Sequence, residues 1–336
     1  MIRCFENADL SGRNSFRVAQ RAARLVEFDS AGELPELFER YDMPLRRVLS
    51  GGNNILFTRD FEGLLITPCG QRSEVVAENG DRVTVRVEAG VEWDDFVAMC
   101  VARGWWGAEN LSLIPGKVGA APVQNIGAYG VEARDIISSV EMYDIASGKT
   151  VTLAAEHCAF GYRESVFKHA LKDKVVITAV EFRLTRCPEP KLGYGDVVRE
   201  VEARGGATLA NIRDAICSIR RSKLPDTSVL GNAGSFFKNP VVTAEKVGEL
   251  LSKYPDMPVY PSGAEGMRKL AAGWLIDKAG MKGYRTGNVG VHDRQALVLV
   301  NFGGAAGSEV LALAREVQRR VEEMFGIAVE TEVNIL

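Results

Sequence analysis

The chain has 336 residues, 46% of them hydrophobic and 25% charged, a composition that supports a sizeable globular core. Its 41 Lys and Arg nearly balance 44 Asp and Glu, and the net charge of −3 argues against a polybasic nucleic-acid or membrane-surface binder. Apolar runs such as residues 296–300 fall far short of the ~20 residues a membrane helix needs, and the opening MIRCFENADLSGRN shows no secretory pattern, so the expectation is a cytoplasmic protein without membrane insertion.

A short strand at 25–28, bounded by Asp29-Ser30, precedes a helix over 34–41 in which Leu34, Leu37, Phe38 and Tyr41 keep helical spacing. Residues 45–49 read as a strand running into GGNN, and 63–67 as the strand that closes this unit. From about 74 the pattern turns antiparallel. Residues 82–89 alternate, with Val83, Val85, Val87 and Ala89 on one face, and a helix follows at 93–102. Residues 140–145 and 150–153 form a hairpin about Ser147-Gly148. Residues 174–185 are a long strand with Val176, Thr178, Val180, Phe182 and Leu184 facing together. A third unit starts near Thr208 with a helical stripe of Leu209, Ile212, Ile216 and Ile219. Residues 310–325 make an amphipathic helix with Val310, Leu313, Ala314, Val317, Val321 and Met324 inward. The last strand, 328–335, needs a partner because Val329, Val333 and Ile335 would otherwise be exposed. Strands with a few helices on one face predict an α+β fold.

The six cysteines form no CxxC pair and the three histidines, His157, His169 and His292, are scattered. The expectation is reduced, mostly buried thiols and no metal site.

Three glycine-rich segments fall in loops. Residues 49–57, LSGGNNILF, place two glycines after a strand, where converging N–H groups suit a phosphate and an ordinary turn is the plain alternative. Residues 114–130, IPGKVGAAPVQNIGAYG, can be neither helix nor regular strand. They offer backbone donors, with Gln124 and Asn125 as amide readers, and are apolar enough to lie on a flat ligand or a neighbouring domain. Residues 230–240, LGNAGSFFKNP, present Ser235 beside an aromatic pair, without the pattern of a nucleophile elbow. Arg163 in FGYRESVFK suits a carboxylate or phosphate, or snorkels at the surface. By alternation Glu330, Glu332 and Asn334 share a solvent face.

Taken in order, SGGNN, IPGKVGAAPVQNIGAYG, FGYRESVFK, LGYGDV, RRSKLPD, LGNAGSFFKNPVV, KLAAGWLID and ETEV resemble the UDP-N-acetylenolpyruvoylglucosamine reductases, flavoenzymes of bacterial peptidoglycan synthesis. The resemblance runs from about Asn14 to the C-terminus. It implies an FAD-binding fold of the vanillyl-alcohol-oxidase type in two subdomains, 1–67 and 68–207. A substrate domain at 208–326 and a C-terminal strand, 327–336, returning to the active site complete it. It assigns non-covalent FAD to Gly51, Gly52, Asn53, Asn54, Gly116, Gly119, Gln124, Asn125 and Gly127. Asn53 stands where members often carry serine, and Ala120 and Ala121 where some do; backbone contacts are indifferent to those changes.

The implied reaction uses NADPH to reduce FAD, and then UDP-N-acetylglucosamine enolpyruvate takes the hydride. Arg163 and Glu332 stabilise the enolate and Ser235 donates the proton. Tyr162, Tyr194, Lys223, Asn239 and Gln295 contact the substrate, and the YGDV segment implies the tyrosine-loop subgroup. The expected protein is a monomer with no nucleic-acid partner. An alcohol- or lactone-oxidising flavoenzyme of the same fold, or a catalytically silent UDP-sugar binder, are the alternatives.

Overall fold

The computed structural model describes residues 1–336. They divide into two compact units, one of residues 1–8, 22–51 and 62–222, the other of 9–21, 52–61 and 223–336.

Besides a two-stranded ribbon of Gly127–Ala128 and Val131–Glu132, the first unit contains two main sheets. In the smaller, the strand order is Arg3–Asp9, Arg21–Phe28, Phe61–Pro68, Arg46–Val48, the last pair running parallel. The helix Leu34–Arg40 carries a proline in its first turn, where the missing N–H costs nothing, and buries Leu34 and Leu37 against Val26, Phe28, Leu64 and Ile66. The strand Arg3–Asp9 has no legible period, because only Ala8 in RCFENAD is buried.

The larger sheet is antiparallel in the order Lys149–Ala154, Ile137–Asp144, Val175–Thr185, Arg82–Glu88, Ser73–Asn79. Val83, Val85 and Val87 are buried as the alternation requires. The Val175–Thr185 strand departs from it. Opposite Glu141 and Met142 the register skips Thr178, so Val176 joins the core of the smaller sheet, while Val180, Phe182 and Leu184 face the larger core. One extra residue in a strand flips everything before it to the other face. The helix Trp93–Ala102 covers the larger core with Trp93, Phe96, Val97 and Cys100, and Phe96 meets Phe182 at 4.4 Å between centroids.

The helix Leu209–Lys223 belongs almost entirely to this unit, not to a third one as its position in the chain suggested. Its stripe of Leu209, Ile212, Ile216 and Ile219 is complemented by Trp106, Val197 and Val201.

The second unit has two three-stranded sheets. One is ordered Val241–Thr243, Met267–Leu270, Val259–Pro261; the other is Arg285–Thr286, Val289–Val291, Leu299–Asn301. The helix Gly307–Phe325 buries Val310, Leu313, Ala314, Val317 and Val321. Met324, expected inward, is 49% exposed. Its place is taken by Phe325, four residues after Val321, which packs on Tyr254 and Trp274 with centroids at 5.1 and 6.0 Å. The extended C-terminus buries Val329 and Val333, but Ile335 is exposed: the N–H groups of Asn334 and Leu336 donate to the carbonyls of Asn54 and Leu56, and the side chain between them stays outside.

The six cysteines are free; Cys100, Cys158 and Cys217 are buried, Cys69 is half-buried, and Cys4 and Cys187 are exposed. The thiols are therefore less buried as a set than composition suggested. Burial pushes the Cys158 thiol up to about 11, which keeps it protonated and inert. No helix is long and apolar enough to cross a membrane.

Candidate active site

In the first unit the 114–130 loop is bound into its own core rather than left as an apolar flap. Val118, Ala121 and Ile126 are buried in the core of the larger sheet. The N–H groups of Val118 and Gly119 donate to the carbonyls of Val91 and Ala89 at 2.9 and 3.0 Å. A Cβ on Gly119 would lie 2.6 Å from that of Ala89, so this glycine serves close packing and its amide is committed within the protein. Gly116 has φ +119 and turns the chain where a side chain would be strained.

Asn125 is fully buried at φ 45, and its amide is used internally, contrary to its expected role as a ligand reader. Nδ2 donates to Glu132 and to the carbonyl of Gly161, both at 2.9 Å, and Oδ1 accepts from the N–H of Arg134 at 3.0 Å. The residue staples three segments together. Gln124, beside it, is half-buried.

One of those segments carries Arg163. Gly161 and Glu164 exchange backbone hydrogen bonds at 2.9 and 3.2 Å, which leaves Tyr162 and Arg163 at the tip of a tight turn. Arg163 adopts φ 56, uncommon for a residue with a side chain and concentrated at functional sites. Its guanidinium donates to the carbonyls of Gly127 at 2.8 Å and Asn125 at 3.4 Å and lies 5.6 Å from the Tyr162 ring centre. This is a half-buried, oriented cation, not a snorkelling one.

A second polar group lies around Tyr129. Tyr194, 55% exposed, meets the Tyr129 ring edge-on at 5.8 Å. Burial pushes the Tyr129 hydroxyl up, opposed by its neighbour and hydrogen-bond partner Arg220. Burial pushes Arg220 down, and its Nε donates to the carbonyl of Leu113 at 3.1 Å. Asp94 receives both Nη atoms of Arg213 at 2.7 Å. Burial alone would raise Asp94, but Arg213 and the N–H of Leu113 hold it below the usual carboxylate range. These partners lie far apart in the chain; Tyr129, Tyr194 and Arg220 fall in motifs the sequence singled out, whereas Asp94 and Arg213 carried no such signal.

In the second unit Ser235 and Glu332 sit on hydrogen-bonded neighbouring segments. Gly234 takes φ +69 and turns the chain into Ser235. The N–H of Phe236 donates to Leu297 at 2.7 Å, and its carbonyl accepts from the N–H of Glu332 at 2.8 Å. Ser235 and Glu332 are both half-buried, whereas Phe236 and Phe237 are buried and Phe16 meets Phe236 edge-on at 6.0 Å. Alternation groups Glu330, Glu332 and Asn334 on one face, and of these Glu330 and Asn334 are exposed while Glu332 is half-buried.

Asn54 reaches the same segment, donating Nδ2 to the carbonyl of Glu332 at 3.2 Å. Gly52 has φ +65, and a Cβ there would collide with the carbonyl of Arg13 at 2.0 Å. Asn53 is half-buried between them. Asn239 caps the helix Ala272–Lys278, its Oδ1 accepting from the N–H of Ala272 at 2.9 Å. Gln295 Oε1 accepts from the N–H of Leu297 at 3.4 Å, in the hairpin beside Ser235. Lys223 is exposed at the end of its helix.

Residues 26–154 match the family described as "FAD binding domain", and residues 225–336 match "UDP-N-acetylenolpyruvoylglucosamine reductase, C-terminal domain". A UDP-N-acetylenolpyruvoylglucosamine reductase of Chromobacterium violaceum is 49% identical over 98% of this chain and 98% of its own length. The chain belongs to the UDP-N-acetylenolpyruvoylglucosamine reductase family. Its namesake in Pseudomonas aeruginosa is 47% identical, also over 98% of both chains. The crystal structure of UDP-N-acetylenolpyruvylglucosamine reductase from Thermus caldophilus matches with a TM-score of 0.70 at 24% identity, covering 100% of this chain and 98% of that one, a likeness of fold. The α+β expectation of an FAD-binding part followed by a C-terminal domain therefore holds, and the protein is an FAD-dependent oxidoreductase of this reductase family.

The first unit fits such a cofactor. The hydroxyls of Ser50, just before the two glycines, and Thr67 are buried without a hydrogen-bond partner. They lie near each other, because the N–H of Leu49 donates to Ile66 at 2.9 Å. Buried hydroxyls are rarely left unsatisfied, and a polar group bound at these strand ends would complete both.

Proposed function

We propose that this chain catalyses the NADPH-dependent reduction of UDP-N-acetylglucosamine enolpyruvate to UDP-N-acetylmuramate, a step of peptidoglycan precursor synthesis, as a cytoplasmic monomer of the tyrosine-loop subgroup. The reading is carried by the bond from the Glu332 N–H to the Phe236 carbonyl at 2.8 Å, which keeps a carboxyl-bearing residue beside Ser235. The flavin-binding part runs to residue 222, where the first unit ends, 223–326 take the UDP-sugar, and 327–336 deliver Glu332. Bound FAD would supply the hydride chemistry, passing a hydride from NADPH to the methylene carbon of the enolpyruvyl group.

The protein's own groups handle the charge and the proton. Arg163 takes the substrate carboxylate with an oriented guanidinium, a better match to two oxygens than an ammonium. Tyr162 lies against that guanidinium and borders the same carboxylate. Hydride addition leaves negative charge beside the carboxylate, and Arg163 with a protonated Glu332 stabilises it. Ser235 Oγ–H then protonates the neighbouring carbon. A hydroxyl is a weak acid, so this step needs a strongly basic carbon and little water. Phe236 and Phe237, both buried, give Ser235 an apolar floor. Tyr194 closes over the UDP moiety, and Lys223, Asn239 and Gln295 contact its diphosphate and nucleotide. On the flavin side we assign Ser50, Gly51, Gly52, Asn53, Asn54, Gly116, Gln124 and Gly127, the N–H groups of Gly119 and Asn125 and the Asn125 side-chain amide being taken up within the protein. Asn54 also ties that loop to the Glu332 segment.

The test is an anaerobic spectrum of the purified protein. The visible flavin band should bleach with NADPH and recover on adding UDP-N-acetylglucosamine enolpyruvate. Bleaching without recovery would transfer the activity to another acceptor, and the absence of a flavin band after adding FAD would sink the reading.

A further inference from the structure

Residues 186–196, which carry Tyr194, run from the end of the Val175–Thr185 strand to the helix Val197–Glu202. Residues 186–195 are exposed apart from the half-buried Leu192. Ordering such an arm over a ligand costs conformational entropy, so a contact that fixes its root lowers the cost of using its tip. Two contacts at the root are apolar. Leu192 and Tyr129 both pack on the cluster formed by Trp106, Val197 and Ile212, and Tyr194 rests edge-on against Tyr129.

The third contact is polar and buried. Asn110, 1% exposed in the turn Glu109–Leu111, donates Nδ2 to the carbonyl of Tyr129 at 3.0 Å and to that of Lys191 at 2.7 Å. Both partners are acceptors, which fixes the amide's orientation: turned over, Oδ1 would face two carbonyl oxygens. Oδ1 itself has no partner, so the residue leaves one acceptor unsatisfied to make these two bonds. No apolar side chain of similar size could take its place.

We propose that Asn110 is a positioning residue for Tyr194, because its one amide ties the carbonyl at the root of the tyrosine arm to the carbonyl of the residue on which Tyr194 rests. It rests on the substrate role given to Tyr194 above and acts through that residue without touching substrate. Asn110→Asp keeps the volume and sets oxygen against both carbonyls; Asn110→Ser is too short to bridge them.

Two readouts test it. Trypsin cuts after Lys191 at the very carbonyl that Asn110 holds, so both variants should be cleaved between Lys191 and Leu192 about tenfold faster than the parent, as expected of local opening. In turnover, Asn110→Asp should raise KM for UDP-N-acetylglucosamine enolpyruvate about tenfold with little change in kcat, and should add nothing in a Tyr194→Ala background. Unchanged cleavage after Lys191 would overturn the tie. Faster cleavage along the whole chain would make Asn110 a general stability residue and overturn it too. A fully additive double variant would show that Asn110 acts on something other than Tyr194. If Tyr194→Ala alone left KM unchanged, the substrate role of Tyr194 would fail, and this proposal with it.

Discussion

Arg163 donates to the carbonyl of Gly127 at 2.8 Å, joining the 160–164 turn to the 114–130 loop. The glycine lets the two segments approach closely. A Cβ at Gly127 would lie 3.1 Å from Arg163 Nη1 and 3.0 Å from the carbonyl of Val131. A lysine would place one mobile charge where a planar fork now sits, held by two carbonyls. Arg163→Lys is therefore expected to lower kcat by about 10²–10³-fold, the range for losing one preorganised oxyanion donor. Flavin content should stay at the parent level. Turnover within twofold of the parent would remove Arg163 from the site.

Ser235 follows Gly234 at φ +69 and precedes a phenylalanine bonded on both edges, so its backbone is held whatever its side chain. Ser235→Ala removes only the hydroxyl. Loss of a general acid should slow substrate-dependent reoxidation of the flavin by about 10²–10⁴-fold. Bleaching by NADPH should stay close to the parent rate. Stopped-flow absorbance separates the two half-reactions, and equal slowing of both would argue for a damaged fold rather than a missing proton donor.

Much of the scaffold was legible because it obeys local periods. Val83, Val85 and Val87 alternate into the core, and Val310, Leu313, Val317 and Val321 follow the helical repeat. What escaped depends on partners far along the chain. Val176 changes core because the ladder skips Thr178, and no alternation within one strand contains that information. Glu332 is half-buried between the exposed Glu330 and Asn334, and the bonds to Phe236 and Asn54 that bring it beside Ser235 join segments far apart in the chain and leave no local pattern. Asn125 was legible as important, but a loop sequence cannot show that its amide is taken up by Glu132, Gly161 and Arg134. The bond between Asp94 and Arg213 joins residues 119 positions apart and leaves no local pattern at all.

Glycines divide into those the fold needs and those it tolerates. Gly307 opens the long helix against residues 55–57, and a Cβ there would fall 1.8 Å from the carbonyl of Phe57. Gly248, inside the helix Ala244–Lys253, would meet nothing within 4 Å. Gly307→Ala should destabilise the protein by about 2–3 kcal/mol, the upper part of the overpacking range. Gly248→Ala should stabilise it by about 0.5–1 kcal/mol, because alanine loses less freedom in a helix. Denaturant unfolding of both variants checks the pair. Equal effects would mean that the start of the long helix can shift away from Phe57 at no cost.

Glu109 is 2% exposed, and burial pushes its carboxyl above the usual glutamate value of 4.5. The N–H of Gly107, donating to Oε2 at 2.7 Å, and the charge of Lys191 pull it back, while Glu189 adds to the rise. The folded chain thus holds a proton that the unfolded chain releases. Stability that is complete below pH 4.5 is lost as pH rises through the folded value, and it stays lost above that. In a Glu109→Gln variant the side-chain amide oxygen still accepts from Gly107, and no charge has to be buried. The variant should therefore melt above the parent at pH 7, and the gap should close as the pH falls toward 4.5. Melting curves of both proteins across that interval decide it: a gap that widens on acidification would mean that the folded setting stabilises the carboxylate, with the proton bound more tightly by the unfolded chain.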